Sequence, residues 1–87
     1  MNAIDKIKKA MGNEKLIIGE RATLRQLRKN QTNIVIVANN TPSIKIKELK
    51  SLCNINKIDF EIIEKDNVEL GVTCRKPFGV SVLSIKK

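Results

Sequence analysis

Aromatic residues are nearly missing from this sequence: 87 residues include no Trp, no Tyr and only two Phe, Phe60 and Phe78. That scarcity excludes the single-strand RNA readers that stack several bases on paired sheet aromatics. Histidine is absent altogether. Cys53 and Cys74, 21 positions apart, therefore assemble neither a zinc site of usual ligand spacing nor a Cys–His nucleophile, and they read as small reduced core residues. The longest uninterrupted apolar stretches, Leu16–Ile18 and Ile34–Ala38, fall far short of the ~20 residues a membrane span requires. The first twelve residues carry Asp5, Lys6, Lys8 and Lys9 inside their apolar pattern and lack a signal-peptide block, so the expected setting is cytoplasmic with no membrane partner. With two Pro, four Gly and no repeat or low-complexity tract, nothing marks a linker, and residues 1–87 read as one domain.

Acids are scarce too: nine Asp+Glu face 17 Lys+Arg, for a net charge of +8. Such an excess favours a polyanionic partner, nucleic acid or an anionic surface. The charge is also segregated. Residues 13–50 carry eight Lys/Arg against Glu14, Glu20 and Glu48, and 71–87 carry Arg75, Lys76, Lys86 and Lys87 with no acid. Between them, 51–70 reverse sign, with five acids against Lys57 and Lys65. A polyanion binder keeps its acids away from the contact face in this way.

Ala3, Ile4, Ile7, Ala10 and Met11 recur at helical spacing, and Gly12-Asn13 offers a stop. Leu16–Ile18 reads as a short strand closed by Gly19, and Ala22, Leu24 and Leu27 as a second helix ending at Lys29-Asn30. Ile34–Ala38 is β-branched at nearly every position, as a strand covered on both faces must be. Thr41 is placed to cap a third helix with Pro42 at its first position and Ile46, Leu49 and Cys53 on one face, leaving Lys45, Lys47 and Lys50 to project elsewhere. Asp59–Ile63 reads as a strand, Asp66-x-x-Glu69 as a capping box opening a short helix, and Val80–Ile85 as the closing strand, with Val80 and Val82 on one face and Leu83 and Ile85 on the other. This alternation predicts an α/β fold with a sheet of about four strands and helices on both faces.

Crossover connections place the turns after the first two strands on one sheet edge. Gly19–Thr23 and Asn39–Pro42 would there aim unpaired N–H groups and helix dipoles outward, an arrangement suited to phosphate. Arg21, Arg25 and Arg28 share one stripe of the second helix, and no phosphate-loop signature follows either strand, so the expected anion is an RNA backbone and not a nucleotide. Arg75-Lys76-Pro77-Phe78-Gly79 joins two cations to an aromatic, which covers a base or packs into a groove. The acids Asp59, Glu61, Glu64, Asp66 and Glu69 raise the alternative of a metal or acid–base enzyme. The strand pattern and the capping box instead put them on a solvated face and at a helix end, so no catalytic residue, metal or cofactor is expected.

Leu16–Gly19 with Glu20–Thr23, Ile34–Pro42, and Val68–Gly71 running on to Lys76, Phe78 and Val80 together resemble the archaeal and eukaryotic large-subunit ribosomal protein family L-thirty-e. That family belongs to the kink-turn RNA-binding superfamily, which also contains ribosomal protein L-seven-Ae. The resemblance covers nearly the whole chain. It implies a three-layer α-β-α sandwich with a mixed sheet, and as its RNA element a kink-turn, a bent internal loop with tandem sheared G·A pairs. Carried over by position, Gly19, Arg21 and Thr23 fall on the first RNA loop, Asn40 on the second, and Lys76 and Phe78 on the third. With the turns read above, the candidate RNA-binding set is Gly19, Glu20, Arg21, Thr23, Arg25, Asn39, Asn40, Thr41, Arg75, Lys76, Pro77 and Phe78. Relatives in RNA-modification particles carry Asn-Glu where this chain has Arg21-Ala22, which points to the ribosomal branch. Two positions depart from the family: Arg75 stands where Gly is usual, Gly79 where a larger polar residue is frequent. The end at Lys87 is short for the family.

The resemblance implies a non-enzymatic constituent of the large ribosomal subunit, a monomer when free, that meets neighbouring ribosomal proteins and holds ribosomal RNA at a kink-turn. A stand-alone kink-turn reader of a small ribonucleoprotein or messenger RNA would use the same loops. Lying on exposed turns, Arg21 and Asn40 are expected to affect RNA binding with little effect on stability.

Overall fold

The computed structural model of the chain describes residues 2–87, ordered as α1 (Ala3–Gly12), β1 (Leu16–Ile18), α2 (Glu20–Arg28), β2 (Thr32–Val37), α3 (Ser43–Ile55), β3 (Asp59–Ile62), α4 (Asn67–Thr73) and β4 (Val82–Lys86). The four strands form one mixed sheet in the order β1-β4-β2-β3. β2 pairs parallel with β3, and β4 runs antiparallel to both β1 and β2. β1, β2 and β3 consequently all point the same way, and the connections that leave them emerge at one edge, where β4 begins.

The steps β1-α2-β2 and β2-α3-β3 travel the same direction across the sheet, so α2 and α3 cover the same face. Leu27, Leu49, Cys53 and Ile58 pack there on Val35, Val37 and Val82. On the opposite face α1 and α4 bring Ala3, Ile7, Ala10, Leu70 and Cys74 onto Ile34, Ile36, Leu83 and Ile85. The result is the expected three-layer α-β-α sandwich. The central strands β2 and β4 are buried almost throughout, whereas the edge strands β1 and β3 are only half-covered, which is why the unbroken β-branched run falls on β2.

Three local expectations are corrected. β4 starts at Val82, not Val80, because the chain bends at Ser81; Val80 therefore packs with Leu83 and Ile85 while Val82 packs on the other face. Pro42, not Thr41, is the N-cap of α3, and no side chain caps that end. The helices also close without glycine at the left-handed position. Glu14, Asn30, Lys57 and Arg75 hold φ between 55° and 57°, each one residue past a helix C-cap. At every one of these ends the next amide bonds back across the last turn: Lys15 to Ala10, Gln31 to Gln26, Ile58 to Cys53 and Lys76 to Gly71. Those are Schellman closures, which normally place Gly at the left-handed position. Gly12, read as a stop, is instead the last residue of α1.

Candidate nucleic-acid interface

Three loops meet at the sheet edge where β1 and β2 end. A cleft of about 530 Å³ runs between them, and Gly19, Glu20, Thr41, Lys45, Lys76 and Phe78 are among its lining residues. The first loop is made by Gly19, the N-cap of α2, whose φ of 104° is open to glycine and strained for any other residue. Its amide donates to the Val82 carbonyl at 2.9 Å, fixing the loop to the start of β4. No side chain caps α2 or α3, whereas Asn2 caps α1 and Asp66 forms a full capping box with Glu69 on α4. The two helices that begin at the cleft are thus the two whose first amides have no side-chain partner, so an anion would find free donors there.

The second loop is tied down from two sides. Ala38 donates its amide to the Ser81 carbonyl at 2.8 Å, and the Thr41 hydroxyl donates to the same oxygen at 3.3 Å. Asn39 is exposed, and its amide donates to the Lys65 carbonyl at 2.9 Å. Asn40 Nδ2 donates to Asn67 Oδ1 at 2.8 Å, while the Asn67 amide donates back to Asn40 Oδ1 at 3.0 Å. Asn67 also accepts from the Val80 amide at 2.9 Å, so this one residue binds the second loop to the third.

The third loop runs from Arg75 to Gly79. Arg75 takes the left-handed conformation, φ 57°, at the position where the resemblance led us to expect Gly. A Cβ on Gly71 would collide with the Phe78 carbonyl, and one on Gly79 would approach Asn67 Nδ2 to 2.7 Å. Gly71 is therefore required by the way the loop backbone lies against α4, whereas a side chain at Gly79 would displace only the end of the Asn67 side chain from its place beside Asn40. Lys76 and Phe78 line the cleft, Phe78 with 56% of its surface exposed, and Arg75 and Pro77 are exposed beside them.

Two candidate contacts turn inward. Thr23 has no exposed surface, and its hydroxyl donates to Ser84 Oγ at 3.2 Å across the α2–β4 contact; no partner can reach that side chain. Thr41 is 6% exposed, and its hydroxyl serves Ser81. Arg21 and Arg25 are exposed along α2 and neither lines the cleft; Arg21 follows the lining residue Glu20, and Arg25 lies a turn further on. Glu20 forms an ion pair with Lys45 at 2.8 Å, and this hydrogen bond, then the carboxylate charge, raises the Lys45 pKa above its ordinary value. Lys45, read as projecting elsewhere, instead belongs to the cleft. A cation in the first turn of a helix opposes the dipole, and that was the available signal. Asn67, also unanticipated, carried none, because its partner lies 27 residues away.

The ribosomal protein L7Ae/L30e/S12e/Gadd45 family model matches residues 1–87. The chain belongs to this family. The curated relatives it matches are named as ribosomal proteins, not as enzymes. Among the family's curated proteins, maize large ribosomal subunit protein eL30 is 33% identical over 84 residues, covering 97% of this chain and 75% of that protein. The eL30 of Trypanosoma brucei brucei is 30% identical over 80 residues, 92% of this chain and 76% of that protein. Two solved structures share the fold. The Giardia lamblia 15.5kD RNA binding protein superposes with a TM-score of 0.85 at 21% identity, over 97% of this chain and 70% of that one. A Bacillus halodurans protein of unknown function gives 0.86 at 19%, over 97% and 83%.

Proposed function

We propose that the chain is a large-subunit ribosomal protein that binds ribosomal RNA at a kink-turn through the three-loop cleft and favours its bent form. The observation that carries this reading is the convergence of two uncapped helix N-termini with Lys45, Lys76, exposed Phe78 and nearby Arg21 on one edge, in a chain of the eL30-containing family. A sharp RNA bend crowds phosphates; cations and free amides at the cleft offset that repulsion, so the bent form binds more tightly and its population rises. The Gly19 loop, whose backbone no side chain shields at that residue, would face the sheared pairs, with Asn39, Asn40 and Pro77 shaping the neighbouring loops and Phe78 covering a nucleotide of the kink. The free protein acts as a monomer and meets its protein neighbours in the ribosome.

An RNA carrying a fluorescence donor and acceptor on its two arms, titrated with protein in the absence of divalent cation, tests this directly. Energy transfer should rise to a plateau at one protein per RNA and fail to rise with the combined Arg21→Ala, Lys76→Ala variant. No rise with wild-type protein would remove the bending mechanism. Co-sedimentation with large ribosomal subunits at high salt separates the ribosomal reading from a stand-alone kink-turn reader.

A further inference from the structure

A second group of cations lies at the other end of the sheet. Lys6 and Lys9 from α1, Asn13 at its C-cap, Lys15 before β1, Lys86 at the end of β4 and Lys87 just past it line one cleft of about 320 Å³ together with the start of β2. No acidic side chain lines it. These lysines are not a sequence run. Lys6 and Lys9 are neighbours on one helix face by their spacing, while the Lys86 amide donates to the Lys15 carbonyl at 2.9 Å and the Lys87 amide to the Gln31 carbonyl at 2.9 Å. Three distant segments are thus drawn to one place by the sheet.

Charge balance within the protein does not account for the cluster. Among the described residues the one ion pair is Glu20–Lys45, at the far edge. Glu14, the acid nearest in sequence to Asn13 and Lys15, lines a different hollow with Arg75 and Lys76. Asp5, in the first turn of α1, stands one turn before Lys9, but it does not line the cleft and makes no ion pair with Lys9. The dipole at the C-terminus of α1 favours a cation in its last turn, and only Lys9 sits there. Five like charges held together, partly exposed and unpaired, repel one another unless an anion is present.

We propose that this lysine cleft is a second RNA-backbone site, engaging a duplex segment other than the one gripped by the loops. β2 begins at this cleft and ends at the three-loop edge, so at a strand rise of ~3.3 Å per residue its six residues hold the two sites roughly 20 Å apart. One protein can then hold two RNA segments at once. Contact with phosphates along a helix needs neither base readout nor aromatics, which this surface lacks.

The test uses the full chain saturated with a labelled short-arm kink-turn RNA, then titrated with a plain RNA duplex. The duplex should join the complex without releasing the first RNA. The combined Lys9→Gln, Lys15→Gln, Lys86→Gln variant, verified as folded by circular dichroism, should bind kink-turn RNA within twofold of wild type. It should bind duplex at least tenfold more weakly, with a log K–log salt slope shallower by about 2–3, one unit per lost phosphate contact. Displacement of the first RNA by the duplex, or equal duplex binding by the variant, would overturn the second site. So would capture of phosphatidylserine vesicles, but not duplex, by this cleft. Should kink-turn RNA fail to bind while free protein holds duplex in a lysine-dependent way, the loop assignment falls and this site stands.

Discussion

Asn40 and Asn67 are joined by two hydrogen bonds of opposite direction, Nδ2 to Oδ1 at 2.8 Å and amide to Oδ1 at 3.0 Å, across 27 residues of sequence. Asn40 is exposed, yet its side chain is an internal tie between the loop after β2 and the first residue of α4. Asn40→Ala removes both bonds and should lower stability by about 1 kcal/mol, a typical net worth for such contacts. RNA affinity should fall with it, since the tie positions the start of α4, where the Asn67 backbone carbonyl holds the Val80 amide just past the third loop. Thermal melts and RNA titrations of Asn40→Ala and Asn67→Ala should move in parallel. A large binding loss at an unchanged melting temperature would make Asn40 a direct contact instead.

Arg75 opposes two requirements. Its φ of 57° is a glycine conformation closing α4, while its charge stands beside the cleft. Arg75→Gly should stabilise the fold by roughly 1 kcal/mol by relieving the left-handed strain. The same change should weaken RNA binding and flatten its salt dependence. Loss of stability in denaturant melts would show that the arginine side chain, and not the backbone, governs this turn.

Phe78 is more than half exposed, with its carbonyl packed over Gly71. Phe78→Ala should leave stability nearly unchanged and reduce RNA binding by about 1–3 kcal/mol if the ring covers a base. Gly71→Ala should do the reverse in origin: the added methyl pushes the third loop off α4, costing about 1–3 kcal/mol of stability. Equal destabilisation by both changes would place Phe78 in the core.

Burial pushes the Cys53 thiol up from 9.0 to about 11 and raises that of Cys74, Lys76 drawing the latter partly back. Well below pH 9 both thiols are mostly protonated whether the chain is folded or not. Between pH 9 and 11 the unfolded chain loses the Cys53 proton and the folded chain keeps it. Stability should therefore fall as pH rises through that window. Melting temperatures from pH 8 to 11 should show this decline, shallower in Cys53→Ala. A thiol reagent at pH 8 should react only after denaturant is added.

What could be read in the sequence was what neighbouring residues decide. The β-branched run at Ile34–Val37 marked a central strand because burial on both faces selects such residues, and Asp66 with Glu69 marked a helix start because the capping box is made within four residues. Gly19, Lys76 and Phe78 were legible as loop residues and do line one cleft. Thr41 was misread as a cap because its hydroxyl is claimed by Ser81, 40 residues on. Thr23 looked like a turn residue, although its spacing of four from Leu27 already put it on the buried face of α2. The left-handed residues Glu14, Lys57 and Arg75 carry no sign of their role, since the helix-end closure they make normally takes Gly at that position.

The most direct test compares binding of the purified chain to a kink-turn RNA and to the same RNA with both sheared G·A pairs converted to Watson–Crick pairs, across a salt series. Recognition of the kink predicts an affinity loss of roughly tenfold or more on conversion, at least about 1.4 kcal/mol, at every salt concentration. Equal and equally salt-sensitive binding to both RNAs would contradict it and leave the three-loop edge a general polyanion surface.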